Sequence, residues 1–231
     1  MKNILLVIML SFSLIPVIGR SQVNQDEIGV WYMYNYSIKF KESVWGMQGD
    51  VQYRSWNFGN DVEQFILRTG ATLNPKNTDF KLTLGYGYIV SGAYGEEKST
   101  SCENRIYQEA FFPKKIGTRI YTGHRFRYEQ RFVSNHNFRT RYRYNLFLNI
   151  PLNRDDMIKN TFYITLYNEL FINGQKNIGN DQSVAIFDRN RFYVATGYLF
   201  KDNLKVQFGI MNQVTNTWKK NQFQISLHHD F

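Results

Sequence analysis

Arginine crowds two neighbouring stretches, Gly123 to Phe132 (GHRFRYEQRF) and Phe138 to Tyr144 (FRTRYRY). Arg119, Arg125, Arg127, Arg131, Arg139, Arg141 and Arg143 stand there, with Glu129 as the only acid between positions 119 and 143. Guanidinium groups at this density suit anion recognition. Alternated with aromatic rings, they also suit the stacking platforms that bind single-stranded nucleic acid. Other reactive chemistry is thinner. Ser134-Asn135-His136-Asn137 holds the residue types of a hydrolase site. Yet no G-x-S-x-G accompanies it, and Asn and Ser are the residues of a polar β-turn. His124 has no serine on its face. His228 and His229 are adjacent, so on a strand they point to opposite faces and cannot share a metal. Cys102 is the lone cysteine and the four histidines are scattered, which leaves no metal spacing and no internal disulfide. Gly85-Tyr86-Gly87 is followed by no helix start, so it is not a phosphate loop; its glycines are expected to make room for the arginine wall. No cofactor is implied.

The elements that must position these arginines are strands of an exported chain. The net charge of +9 is the footprint of a nucleic-acid or anionic-surface binder. The N-terminus redirects that inference. Met1-Lys2-Asn3 is a basic start, Ile4 to Ile18 is almost unbroken apolar sequence, and Gly19-Arg20-Ser21 sets small residues before Gln22. This is the pattern of a secretory signal peptide, residues 1–21. Its core is too short for a membrane span, and no later stretch approaches one. Loss of Lys2 and Arg20 leaves 26 basic against 19 acidic residues, a mature charge of +7. An exported chain is expected to meet no nucleic acid, so the charge needs another use.

Residues 22–231 alternate apolar and polar side chains almost throughout, the period of a half-buried strand. Phe80, Leu82, Leu84, Tyr86, Tyr88 and Val90 oppose Lys81, Thr83, Gly85 and Gly87. Eleven such runs are expected, near residues 28–40, 44–56, 62–73, 80–90, 104–112, 116–132, 138–150, 162–172, 190–200, 204–214 and 222–231. Many are ten residues or longer, against a usual five or six in soluble sheets. Lys41-Glu42, Pro113-Lys114-Lys115 and Lys201-Asp202-Asn203 read as tight turns, and Ser91 to Glu103 and Asn173 to Arg189 as long loops on one side. Short turns at one end and long loops at the other are the habit of an outer-membrane barrel. The expected fold is therefore all-β, an antiparallel up-and-down transmembrane β-barrel of ten to twelve strands. Bacterial single-chain barrels favour even numbers, which makes twelve the preferred count.

A soluble lipocalin-like barrel would turn the same alternation the other way, and periodicity alone does not choose. Full apolar faces with aromatic residues near strand ends favour the membrane. So does the last strand, with Phe223, Ile225, Leu227 and Phe231 on one face and a terminal Phe. It looks like the signal by which bacterial barrels are handed to their outer-membrane assembly machinery. The expected location is the bacterial outer membrane, with the lipid bilayer as partner. Arginine on the lipid face at mid-depth would cost roughly 2–4 kcal/mol each, so the wall must face the lumen. Arg189 and Arg191, and also Arg54 and Arg68, are candidates to extend it; Glu129 and Glu169, with Asp50 and Glu109, are candidate inward carboxylates. Three functions stay open: a barrel filled by paired charges, in a structural or small-solute role; an anion-favouring pore or ligand site for a small anionic solute; and a lipid-modifying enzyme. The oligomeric state is not legible.

Gly29-Val30-Trp31, the two arginine stretches, Tyr167-Asn168-Glu169-Leu170-Phe171, Asn190-Arg191-Phe192 ahead of Gly197-Tyr198, and the closing strand to Phe231 carry a family resemblance. Over nearly all of residues 22–231 the chain resembles the bacterial outer-membrane β-barrel family called domain of unknown function 2490. The resemblance implies an outer-membrane barrel and no particular activity.

Overall fold

A computed structural model describes residues 23–24, 26–96 and 99–231. The expected signal peptide, residues 1–21, lies outside the described residues. In chain order the strands are β1 (Gly29–Lys39), β2 (Trp45–Asn57), β3 (Asn60–Leu73), β4 (Lys81–Gly92), β5 (Thr100–Ile116), β6 (Ile120–Val133), β7 (Arg139–Pro151), β8 (Phe162–Asn173), β9 (Asn177–Gly179), β10 (Gln182–Ser183), β11 (Phe187–Lys201), β12 (Leu204–Thr215) and β13 (Lys219–Asp230). The short β9 and β10 form a hairpin of their own, and the other eleven strands close one barrel. Each corresponds to one of the eleven alternating runs.

The count lies within the expected range, at its odd value, and closure shows how. In an up-and-down meander an even number of strands brings the first and last together antiparallel. An odd number makes them run the same way. Here β1 pairs β13 in parallel, from Gly29 opposite Gln222 to Ser37 opposite Asp230. All other neighbours in the barrel are antiparallel. The start of β1 and the end of β13 therefore lie at opposite ends of the barrel. We call these the hairpin end, which carries β9–β10, and the C-terminal end.

One expected turn is misplaced. Pro113-Lys114-Lys115 belongs to β5, which runs on to Ile116, and the turn falls on residues 117–119. The last β4 partner of β5 is Phe111. Pro113 thus sits where that strand edge is unpaired, a place where a missing N–H costs least. The loop expected from Ser91 to Glu103 is also shorter, because β5 already begins at Thr100.

The alternation faces apolar side out. Leu84, Phe126, Tyr142 and Phe208 are each at least half exposed on the outer surface. Gln52, Glu129, Gln213, Gln222 and Ser226 are fully buried inside. Among the described residues only a small apolar cluster, Trp31, Tyr193, Ala195 and Met211, forms a core in the ordinary sense.

Candidate functional site

The interior is organised by cross-strand pairs. Register sets Asp50 opposite Arg68, Glu109 opposite Arg127 and Glu129 opposite Arg141. Each pair is an ion pair: Arg68 Nε lies 2.9 Å from Asp50, Arg127 Nη2 2.5 Å from Glu109, and Arg141 Nη2 2.7 Å from Glu129. Register also sets Arg127 opposite Arg143, and Arg131 opposite Arg139. Like charges directly opposed destabilise a sheet, so Arg143 and Arg131 turn from the opposed arginines to carboxylates. Arg143 reaches Glu129 at 2.7 Å and Glu169 at 2.5 Å. Arg131 reaches Glu103 at 2.7 Å.

Shared carboxylates and arginines knit all of these pairs except Asp50–Arg68 into one network. Glu129, with no exposed surface, holds Arg105, Arg141 and Arg143. Glu103 holds Arg105 and Arg131. Asp188 holds Arg141 and Arg189, and Arg125 bridges Glu109 and Glu169. Aromatic rings line the same space. The Phe171 ring lies beneath Arg143 and Arg191, at 4.4 and 4.8 Å, and Tyr107 beneath Arg127 at 4.4 Å.

Of the expected wall, Arg125, Arg127, Arg131, Arg141, Arg143 and Arg189 join the network with Glu129 and Glu169. Arg191 is buried but bonds the Gln213 amide at 2.6 Å. Arg139 is half-buried, and its Nε has no hydrogen-bond partner. Arg119 is a correction: it occupies the β5–β6 turn, donates to the carbonyls of Leu152 and Arg154, and lies 3.5 Å from Asp155. Its odd number matched the wall, but strand parity stops counting where the chain turns. Glu103 and Asp188 were missed because a charged strand end reads as loop, and Arg105 because alternation leaves the facing of the 104–112 run open. The series Glu103, Arg105, Tyr107, Glu109 at period two was the available signal. Glu63 was missed for another reason. A register shift between Arg54 and Ser55 leaves it out of phase with its strand, and it turns inward to accept from Trp31 Nε1 at 2.8 Å.

The two glycines divide their task. A side chain on Gly85 would run into the Tyr107 ring, and one on Gly87 would meet Arg68 Cγ at 2.9 Å. Only the second makes room for an arginine. The terminal-strand residues Ile225, Leu227 and Phe231 lie exposed on the outer surface, and the Phe223 ring packs there on Phe58 and Phe208.

Ser134 and His136 do not form a nucleophile–base pair. The Ser134 hydroxyl donates to the Cys102 carbonyl, while the His136 ring meets the Ser134 carbonyl and Gln182. Asn135 between them has a φ of 60°, as its turn requires. His228 and His229 face apart, toward Ser226 and Tyr34. No group of metal-ligating side chains occurs among the described residues.

Below the network lies a cavity of about 830 Å³. Trp31, Arg54 and Arg191 line its inner part; Ser37, Lys81, Lys205 and Asp230, all near strand ends, line it toward the C-terminal end. At the hairpin end the chain folds over itself: Asn137 N–H donates to the Ile178 carbonyl, Lys220 to that of Asn24, and Tyr94 to Glu27.

A family model described as "Protein of unknown function (DUF2490)" matches residues 28–224, from the threshold of β1 into β13. The chain belongs to the DUF2490 family. The match spans the other ten barrel strands and the first half of β13, so in this DUF2490 protein the interior network is part of the family region. No curated protein and no solved structure matches the chain.

Proposed function

We propose that this DUF2490 protein is an integral β-barrel of the bacterial outer membrane, filled by paired charges and so structural or ligand-holding rather than a through-channel. The observation that carries this reading is the facing of the strands. An exposed face of Leu, Phe, Ile and Tyr around a buried charged interior inverts the order of a soluble barrel and suits a lipid surround. Aromatic pairs stand near both rims, Phe132 with Phe138 and Phe162 with Tyr198, as interfacial belts do. The sequence of residues 1–21 supports export.

In this reading the C-terminal end faces the periplasm and the hairpin end faces outward. The cavity then opens to the periplasm. The ion-paired network and the folded hairpin end weigh against an anion pore, and the engaged Ser134 and His136 weigh against a hydrolytic lipid enzyme. Migration on a detergent gel tests the barrel: the unheated chain should run apart from the boiled one, and a single unchanged band would count against it. Planar-bilayer recording tests the filling. No steady current is expected, and a stable open-channel current would overturn it.

A further inference from the structure

The cavity is not electrically balanced. Among the described residues its lining carries ten Lys or Arg against five Asp or Glu. Asp50, Glu109 and Glu169 are taken by Arg68, Arg127, Arg143 and Arg125. The imbalance is sharpest at the inner part. Arg54 and Arg191 are 5% and 6% exposed and both rest on the Trp31 ring, at 3.6 and 4.7 Å. Neither has a carboxylate within 4.0 Å among the described residues; their partners are amides, Gln52 and Gln64 for Arg54 and Gln213 for Arg191. Glu63 nearby is held by the neutral donors Trp31 and Gln222, and its charge offsets part of the arginines' charge from beyond ion-pair distance. Amide oxygens satisfy hydrogen bonds but do not neutralise charge, and neither of these two buried cations on one ring has an ion-paired counter-ion. A separate observation points the same way: Arg127 Nη1, also on the cavity lining, is buried with no hydrogen-bond partner.

We infer that the cavity binds a small organic anion, a carboxylate or phosphate ester, with its charged group on Arg54 and Arg191. Its apolar body lies along Met33, Phe147 and Tyr167, which line the same space. The volume suits one such molecule, since ligand pockets run from about 300 to 1,000 Å³. From Ser37 to Trp31 the path is roughly 20 Å at about 3.3 Å per residue. Lys81 and Lys205 near its open end have no carboxylate within 4.0 Å among the described residues, and they draw anions inward. The inference goes beyond the membrane reading and does not need it, because binding is measured on folded protein in detergent.

The test is calorimetric titration of the full chain, refolded in zwitterionic detergent, with phenyl phosphate, benzoate, inorganic phosphate and the neutral benzyl alcohol. Heat-modifiable migration confirms folding for each sample, so a failed barrel and a failed site are told apart. Saturable binding of phenyl phosphate or benzoate is expected, with none for benzyl alcohol. Arg191→Gln should weaken it about tenfold or more, the loss of a charge-assisted hydrogen bond. Arg139→Gln, outside the cavity, should leave it unchanged. Where Arg191→Gln does not refold, the Lys81→Gln/Lys205→Gln double variant takes its place and should weaken binding severalfold with a shallower salt dependence. Absence of saturable anion binding, equal binding of benzyl alcohol, or unaltered affinity in the folded variant would overturn the site. Inorganic phosphate binding as tightly as phenyl phosphate would overturn the apolar part of it.

Discussion

Glu129 shows what one side chain does in this interior. It is fully buried and holds three guanidiniums from β5 and β7. Removing one member of a buried ion cluster leaves uncompensated charge, at a cost of about 3–5 kcal/mol. Glu129→Gln keeps the shape and loses the charge. Urea unfolding in lipid vesicles is expected to show a loss of that size, and an unchanged midpoint would mean that the network is not what stabilises the interior. Glu129 was legible as the lone acid among arginines. Its partners were only half legible, because Arg105 lies in a stretch whose facing stayed open until register fixed it.

At the scale of elements, the parallel β1–β13 seam is the unusual join. Tyr34 lies opposite Leu227 across it, and adjacent strands lie about 4.8 Å apart, within disulfide range. With Cys102→Ser in place, cysteines at 34 and 227 should cross-link within one chain and alter its mobility on a non-reducing gel. A barrel with a twelfth strand between them would give no such product. A second element-level contact joins the 152–161 loop to the adjoining ends of β5 and β6. The Lys115 ammonium and the Tyr121 hydroxyl both donate to Asp156, the latter at 2.5 Å. They hold its carboxyl below the ordinary aspartate value. A depressed carboxylate contributes stability above its unfolded value and loses it as pH falls through the folded one. Amide resonances of this loop should therefore shift in strong acid and not between neutral and mildly acidic pH. Asp156→Asn should abolish that transition.

For the whole molecule the decisive property is which side of the sheet meets the surroundings. Phe126 sits mid-strand on the outer surface, half exposed. Phe126→Arg should cost about 2–4 kcal/mol in a bilayer, read as a lowered unfolding midpoint in vesicles. On a soluble barrel the same exposed arginine would be nearly silent, so a null result there argues for water rather than lipid.

The sequence alone determined the barrel strands. Period-two alternation marks a strand wherever it is sustained, and the eleven runs correspond to eleven barrel strands. Tertiary structure decided three things that alternation leaves undetermined. A period of two is unchanged when its faces are exchanged, so apolar-out facing had to come from closure of the sheet. Whether eleven strands closed in parallel or concealed a twelfth depended on pairing between residues almost two hundred positions apart, such as Tyr34 and Leu227. And the charge left over on Arg54 and Arg191 is a fact of distance. Composition counts charges, but only the fold determines which of them meet.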